Sequence, residues 1–124
     1  EFKYPGKNLG FESRKRWTKP SLMLVAEANY SDAHCVPVAY SDLGIGKTVG
    51  MPVPGTCSFV WWERLQNGIV FGIPNMAVTN IDGEILENKQ FVPDFVVKNE
   101  FEKITKGIDQ QILKAVEELL KEIE

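Results

Sequence analysis

Ser31 stands where an apolar run gives way to polar residues, a junction at which a serine hydroxyl can do chemistry. The run 22–26 predicts a strand buried on both faces, and the residues after it predict a helix that starts at Ser31, reaches Leu43 and stops at Gly44. A hydroxyl here faces open backbone N–H groups and the positive end of the helix dipole, which stabilise an oxyanion formed by attack on a carbonyl. The junction therefore indicates a candidate nucleophile.

A simpler interpretation of Ser31 is a plain helix cap, which is the commoner use of serine at such a position. Pro37 lies inside the predicted helix. Because proline has no backbone N–H, we expect it to widen the first turn or to shorten the helix.

The elements that must position Ser31 predict a mixed α/β fold. Asn67 and Gly68 form a hairpin turn signal, the proline-containing segment 51–56 predicts a loop, and 81–83 predicts a further turn. Short strands are predicted at 47–50, 57–62, 69–72 and 76–79.

The C-terminal segment has the periodicity of an amphipathic helix, with Asp109 as its N-cap. Its apolar residues recur every three or four positions, at Ile112, Val116, Leu119, Leu120 and Ile123. We expect this stripe to dock on the sheet or on a partner, because so short a helix is marginal alone. Residues 1–19 have no clear period and predict an irregular lead-in to a domain over 20–124.

Composition limits the possible functions. A chain of 124 residues, 44% of them hydrophobic, can bury one modest core. Its net charge of -3 gives no reason to expect nucleic acid as a partner, and no apolar run is long enough to span a membrane. No residues have metal-ligand spacing, and we expect no cofactor. Cys35 and Cys57 could approach each other, but buried free thiols are the more common outcome.

The segment 24–33, LVAEANYSDA, is similar to the nucleophile segment of the serine peptidases that include tricorn protease and the C-terminal processing (tail-specific) peptidases. Further matches follow in family order, at 46–50 with 54–56, at 82–83 with 86–88, at 92–94 with 96–97, and at 107–116. The resemblance implies a crotonase-like (ββα spiral) α/β domain with a mixed sheet and flanking helices. It also implies a peptide or protein substrate and favours a periplasmic or cell-envelope location.

The resemblance assigns roles to three residues. Ser31 would form the acyl-enzyme, the backbone N–H of Asp32 would bind the oxyanion, and Glu87 would support the base. Without the resemblance, Glu87 would be interpreted as a solvated carboxylate beside a turn. The processing peptidases use a lysine base where Thr56 stands here, and no lysine lies between Lys47 and Lys89. The tricorn-like branch, which uses a histidine base, therefore fits better.

The base itself is missing from the expected place, because the family's histidine precedes the nucleophile and this chain has only His34. We interpret His34 as a partly buried, hydrogen-bonded residue rather than as the base. The chain then resembles the C-terminal part of a catalytic domain, inactive alone and in need of the upstream half as a partner. Its uncovered apolar surface would favour self-association. The alternatives are a non-catalytic ligand- or peptide-binding module on the same fold and a plain structural domain with a capped helix.

Overall fold

The structure, a computed structural model, describes residues 18–123. All but the last two residues of the predicted irregular lead-in, 1–19, lie outside this range. Along the chain the elements are β1 (Leu22–Val25), α1 (Asp32–Asp42), β2 (Lys47–Gly50), β3 (Ser58–Arg64), β4 (Val70–Ala77), β5 (Phe95–Val96), α2 (Phe101–Ile104) and α3 (Gln110–Lys121). None of the described helices is long and apolar enough to cross a membrane.

Three parallel strands form the main sheet, in the order β1-β2-β5. The register places Leu22 opposite Lys47 and Val49 opposite Phe95. Helix α1 is the crossover that parallel neighbours such as β1 and β2 require. Because α1 follows β1 directly, its N-terminus lies beyond the carboxyl end of that strand, where open α/β sheets place their ligand sites.

The strands β3 and β4 form the predicted hairpin, and its turn contains Gly68 at a φ of 88°. The separate strand predicted at 76–79 is wrong, because Met76 and Ala77 are the end of β4. Phe59 pairs with Met76 but Val60 pairs with Pro74, so β4 carries one extra residue. Proline cannot donate to a ladder, and this bulge accommodates it while the strand continues.

As predicted, helix α1 ends before Gly44. The φ of Gly44 is 60°. The expectation that Pro37 would disturb the helix is wrong, because α1 runs through it without a break. Proline leaves the carbonyl of Ala33 without its usual intrahelical donor. The side-chain amide of Asn29 donates to that carbonyl instead, at 2.9 Å.

Helix α3 packs against β1 and β2, and the Asp109 carboxylate caps it by accepting hydrogen bonds from the backbone of Gln111 and Ile112. Lys114 and Lys121 both contact Glu118, and their hydrogen bonds lower the pKa of that carboxyl to about 2. The apolar stripe is only partly docked, with exposed fractions of 48% at Ile112, 49% at Val116, 53% at Leu120 and 64% at Ile123.

Two long-range contacts hold the loops to the sheet. The Asp94 carboxylate accepts hydrogen bonds from both the backbone and the hydroxyl of buried Thr48, at 2.7 and 2.8 Å, which ties the start of β5 to β2. Cys35 and Cys57 form a disulfide, so the expectation of free thiols is wrong. The bridge closes a separation of 22 residues, which stabilises the fold by roughly 3 kcal/mol through the unfolded chain.

Candidate active site

The backbone of Ser31 adopts a conformation that is rare outside glycine, with φ 55° and ψ -119°. Such strained residues cluster at functional sites, and a sharp strand-to-helix turn of this kind exposes the hydroxyl of a nucleophilic serine. The Ser31 side chain makes no capping hydrogen bond to α1. The hydroxyl is therefore not used as a plain helix cap.

Asn29 organises the turn that leads into Ser31. Its backbone N–H donates to the Ala26 carbonyl at 3.0 Å, and its side-chain oxygen accepts from the Ala26 N–H at 3.3 Å. The side-chain amide reaches forward to Ala33 in the first turn of α1. Sequence reasoning missed this residue, although asparagine is typical of turns whose side chain bonds to nearby backbone.

The N-terminus of α1 offers one open donor. The Ser31 N–H donates to the Thr56 hydroxyl at 3.1 Å, and the N–H groups of His34 and Cys35 donate to the Ser31 carbonyl. Within residues 18–123, no atom accepts a hydrogen bond from the Asp32 N–H. That N–H lies next to the serine and carries the positive partial charge of the helix end, so it suits an oxyanion.

Glu87 is held by two donors at one carboxylate oxygen. Its Oε2 accepts hydrogen bonds from the Ser58 hydroxyl at 2.7 Å and from the Cys57 N–H at 2.9 Å. Its Oε1 has no hydrogen-bond donor in the described part of the chain. The carboxylate is therefore fixed in orientation, with one oxygen left to accept from another group.

Ser31, Asp32 and Glu87 line one cavity of about 630 Å³. The structure thus brings together the three residues singled out in the sequence. Thr56 and Ser58 complete the polar side of this cavity. The apolar side is formed by Tyr30, Phe59, Val60, Trp62, Gly72 and Pro74.

His34 does not line this cavity. The expectation of a partly buried, hydrogen-bonded histidine is wrong, because the side chain is fully buried and neither ring nitrogen is hydrogen-bonded within residues 18–123. Burial lowers the pKa of His34, and the nearby negative charge of Glu87 only partly opposes that shift. The imidazole is therefore neutral at pH 7.

We expect the free energy of unfolding to decrease as the pH falls below 6.5, the ordinary pKa of histidine. The folded state lowers the pKa of His34, so the unfolded chain binds the proton more readily and acid favours unfolding. Urea titrations above the range of the carboxyl groups, between about pH 5.5 and 7.5, measure this slope. Because His34 is the only histidine, His34→Gln should flatten the slope, and an equal slope in both proteins would contradict the assignment.

The described residues contain no group of three histidine, cysteine, aspartate or glutamate side chains that could hold a metal ion. The polar groups of the cavity are hydroxyls, one backbone donor and carboxylates. This set suits acyl transfer by a serine nucleophile.

Comparison with known proteins adds to this geometry. The family model described as peptidase family S41 matches residues 3–97. No curated protein sequence matches the chain. A candidate peptidase of Parabacteroides merdae is 25% identical, with a TM-score of 0.74 over 88% of this chain and 34% of that one.

Two further solved structures share the fold. Tricorn protease is 24% identical, with a TM-score of 0.77 over 94% of this chain and 13% of that one. Mature CPAF is also 24% identical, with a TM-score of 0.62 over 68% of this chain and 17% of that one. The chain thus spans about a third or less of the length of these structures, and the predicted mixed α/β fold with flanking helices is confirmed.

Proposed function

Since the chain belongs to peptidase family S41, we propose that it supplies three parts of a serine peptidase site: the nucleophile, one oxyanion donor and the carboxylate that supports the base. The observation that carries this proposal is the Ser31 backbone, with φ 55° and ψ -119° at the start of a helix and the hydroxyl free of any capping bond. Strained backbone is typical of functional sites, and Ser31 lines the same cavity as Glu87, whose carboxylate is fixed in orientation.

In the proposed reaction, the Ser31 Oγ attacks the carbonyl carbon of a peptide bond while a base takes the hydroxyl proton. The Asp32 N–H donates to the oxyanion that forms on the substrate carbonyl oxygen. When the C–N bond breaks, the leaving amine takes the proton from the base and Ser31 holds the acyl group as an ester. Water, activated by the same base, then releases the peptide acid and restores the serine.

Glu87 supports the base in this scheme. The donors at its Oε2 fix the carboxylate, and its Oε1 can accept a hydrogen bond from the base or from a residue linked to it. A fixed carboxylate orients the base and stabilises the positive charge that the base gains with the proton. It does not take the proton itself.

The base comes from sequence outside this chain in our proposal. His34, the only histidine of the chain, is buried outside the cavity that holds Ser31. The chain also covers only 34% of the Parabacteroides merdae structure. We therefore propose that residues 20–124 are the C-terminal part of a catalytic domain whose upstream half carries a histidine base and a second oxyanion donor.

Labelling with a fluorophosphonate probe tests this function. The probe reacts with an activated serine, so we expect a covalent adduct on Ser31 in the full-length protein that contains this chain. The isolated chain should react little, since no histidine or lysine of residues 18–123 lines the cavity of Ser31. Mass spectrometry of the labelled peptide identifies the modified residue.

The outcomes separate the two parts of the proposal. An adduct on another serine would show that Ser31 is not the nucleophile. Fast labelling or turnover by the isolated chain would show that the base does not lie outside it. No labelling of either protein would favour the binding module, whose cleft requires no activated serine.

A further inference from the structure

Three consecutive residues, Thr56 to Ser58, connect Ser31 to the carboxylate of Glu87, and we name them the 56–58 bridge. Thr56 accepts the hydrogen bond of the Ser31 N–H. Cys57 is joined by a disulfide to Cys35, which lies in the first turn of α1. Ser58 and the backbone of Cys57 hold the Glu87 carboxylate. A single stretch of chain therefore sets where Ser31 and Glu87 lie relative to each other.

The position of Thr56 is fixed from both sides. On one side, the Gly55 carbonyl accepts from the Asn88 N–H at 2.9 Å, and a Cβ at Gly55 would lie only 2.7 Å from the Asn88 carbonyl carbon. This close approach, which glycine permits, clamps the loop to the segment that follows Glu87. On the other side, the disulfide anchors Cys57 to α1. The Thr56 hydroxyl is thus presented to Ser31 by a rigid support.

The hydrogen bond from Ser31 to Thr56 acts on the residue whose backbone is strained. Strained conformations persist only where contacts with the surroundings hold them in place. The unusual φ of Ser31 is the rotation about its N–Cα bond, so a hydrogen bond from the Ser31 N–H helps to hold that conformation. With this N–H bound to Thr56, the adjacent Asp32 N–H is left as the open donor of the turn among the described residues.

We propose that Thr56 is a positioning residue of the active site, which holds the Ser31 turn through the hydrogen bond from the Ser31 N–H. This inference rests on the proposed function, because it assumes that Ser31 is the nucleophile. Without the hydroxyl acceptor, the turn can relax, so that the Ser31 Oγ and the Asp32 N–H no longer point together at the substrate carbonyl. Substrate binding is left largely unchanged, because Thr56 is one of eleven residues that line the cavity and the other ten are kept.

The test compares Thr56→Val with Thr56→Ser in the full-length protein that contains this chain. Valine keeps the shape and removes the hydrogen-bond acceptor, whereas serine keeps the hydroxyl. We expect Thr56→Val to lower kcat by about 10- to 100-fold, since misalignment of a reacting group has costs of this size, with KM changed by less than about twofold. Thr56→Ser should restore most of kcat.

Thr105→Val is the matched control, because Thr105 is exposed and its hydroxyl donates only to the nearby Glu102 carbonyl. It should leave both kcat and KM unchanged. A role of Thr56 in folding alone would move the free energy of unfolding without a selective loss of kcat. Should the valine variant not fold, Thr56→Ala removes the same acceptor with less bulk.

The outcomes distinguish this inference from the function on which it rests. If Ser31→Ala abolishes turnover while folded Thr56→Val or Thr56→Ala keeps the wild-type kcat, the positioning role is overturned and the nucleophile stands. If Ser31→Ala keeps its activity, the proposed function itself fails. Loss of kcat in the valine variant with recovery in the serine variant supports the inference.

Discussion

Replacement of Ser31 by alanine is expected to lower kcat for peptide hydrolysis by on the order of 10⁶-fold in the full-length protein, as loss of a catalytic serine does elsewhere. Alanine removes the atom that forms the acyl-enzyme, so only transition-state stabilisation by the remaining groups is left. KM should change little, because the hydroxyl contributes mainly to the reacting state. Steady-state kinetics on a fluorogenic peptide measure both constants.

Ser41→Ala is the matched control for this experiment. Ser41 is an exposed serine of the same helix and does not line the cavity of Ser31. It should keep the wild-type kcat. Because the Ser31 hydroxyl makes no capping hydrogen bond, Ser31→Ala should also leave the folded state intact by circular dichroism. A folded Ser31→Ala protein that retains more than a trace of kcat would contradict the nucleophile assignment.

Substitution of Glu87 by glutamine is expected to lower kcat by about 10⁴-fold, the size seen when the acid that supports a catalytic base loses its charge. The glutamine oxygen can still accept from Ser58 and from the Cys57 N–H, so the local fold is kept. What is lost is the negative charge that orients and stabilises the protonated base. The measurement is kcat and kcat/KM for the same fluorogenic peptide.

Glu84→Gln provides the comparison for Glu87. Glu84 lies three residues earlier and forms an exposed ion pair with Lys89 at 3.1 Å. Exposed pairs of this kind contribute little, so this variant should keep the wild-type kcat. Equal losses in the two variants would point to a general charge effect, and no loss at Glu87 would remove it from the catalytic scheme.

Local patterns in the sequence determined much of the fold. The hairpin turn at Gly68, the end of α1 before Gly44 and the capping of α3 by Asp109 are confirmed because each depends on short-range backbone preferences. The family resemblance, carried by motifs in the right order, is confirmed by the match over residues 3–97. The catalytic roles of Ser31, Asp32 and Glu87 stay predictions.

Tertiary structure decided the geometry of the candidate site. Glu87 and Ser31 are far apart in sequence, and long-range contacts, among them those of the 56–58 bridge, place them in one cavity. Packing of distant segments also reversed one local expectation, because the surrounding core buries His34 completely. The compensation of Pro37 by Asn29 is different, since that hydrogen bond joins residues only four apart in sequence. Sequence patterns report the conformational preferences of neighbouring residues. Strain, burial and long-range hydrogen bonds depend on which distant segments pack together, so local sequence patterns do not predict them and only the folded structure shows them.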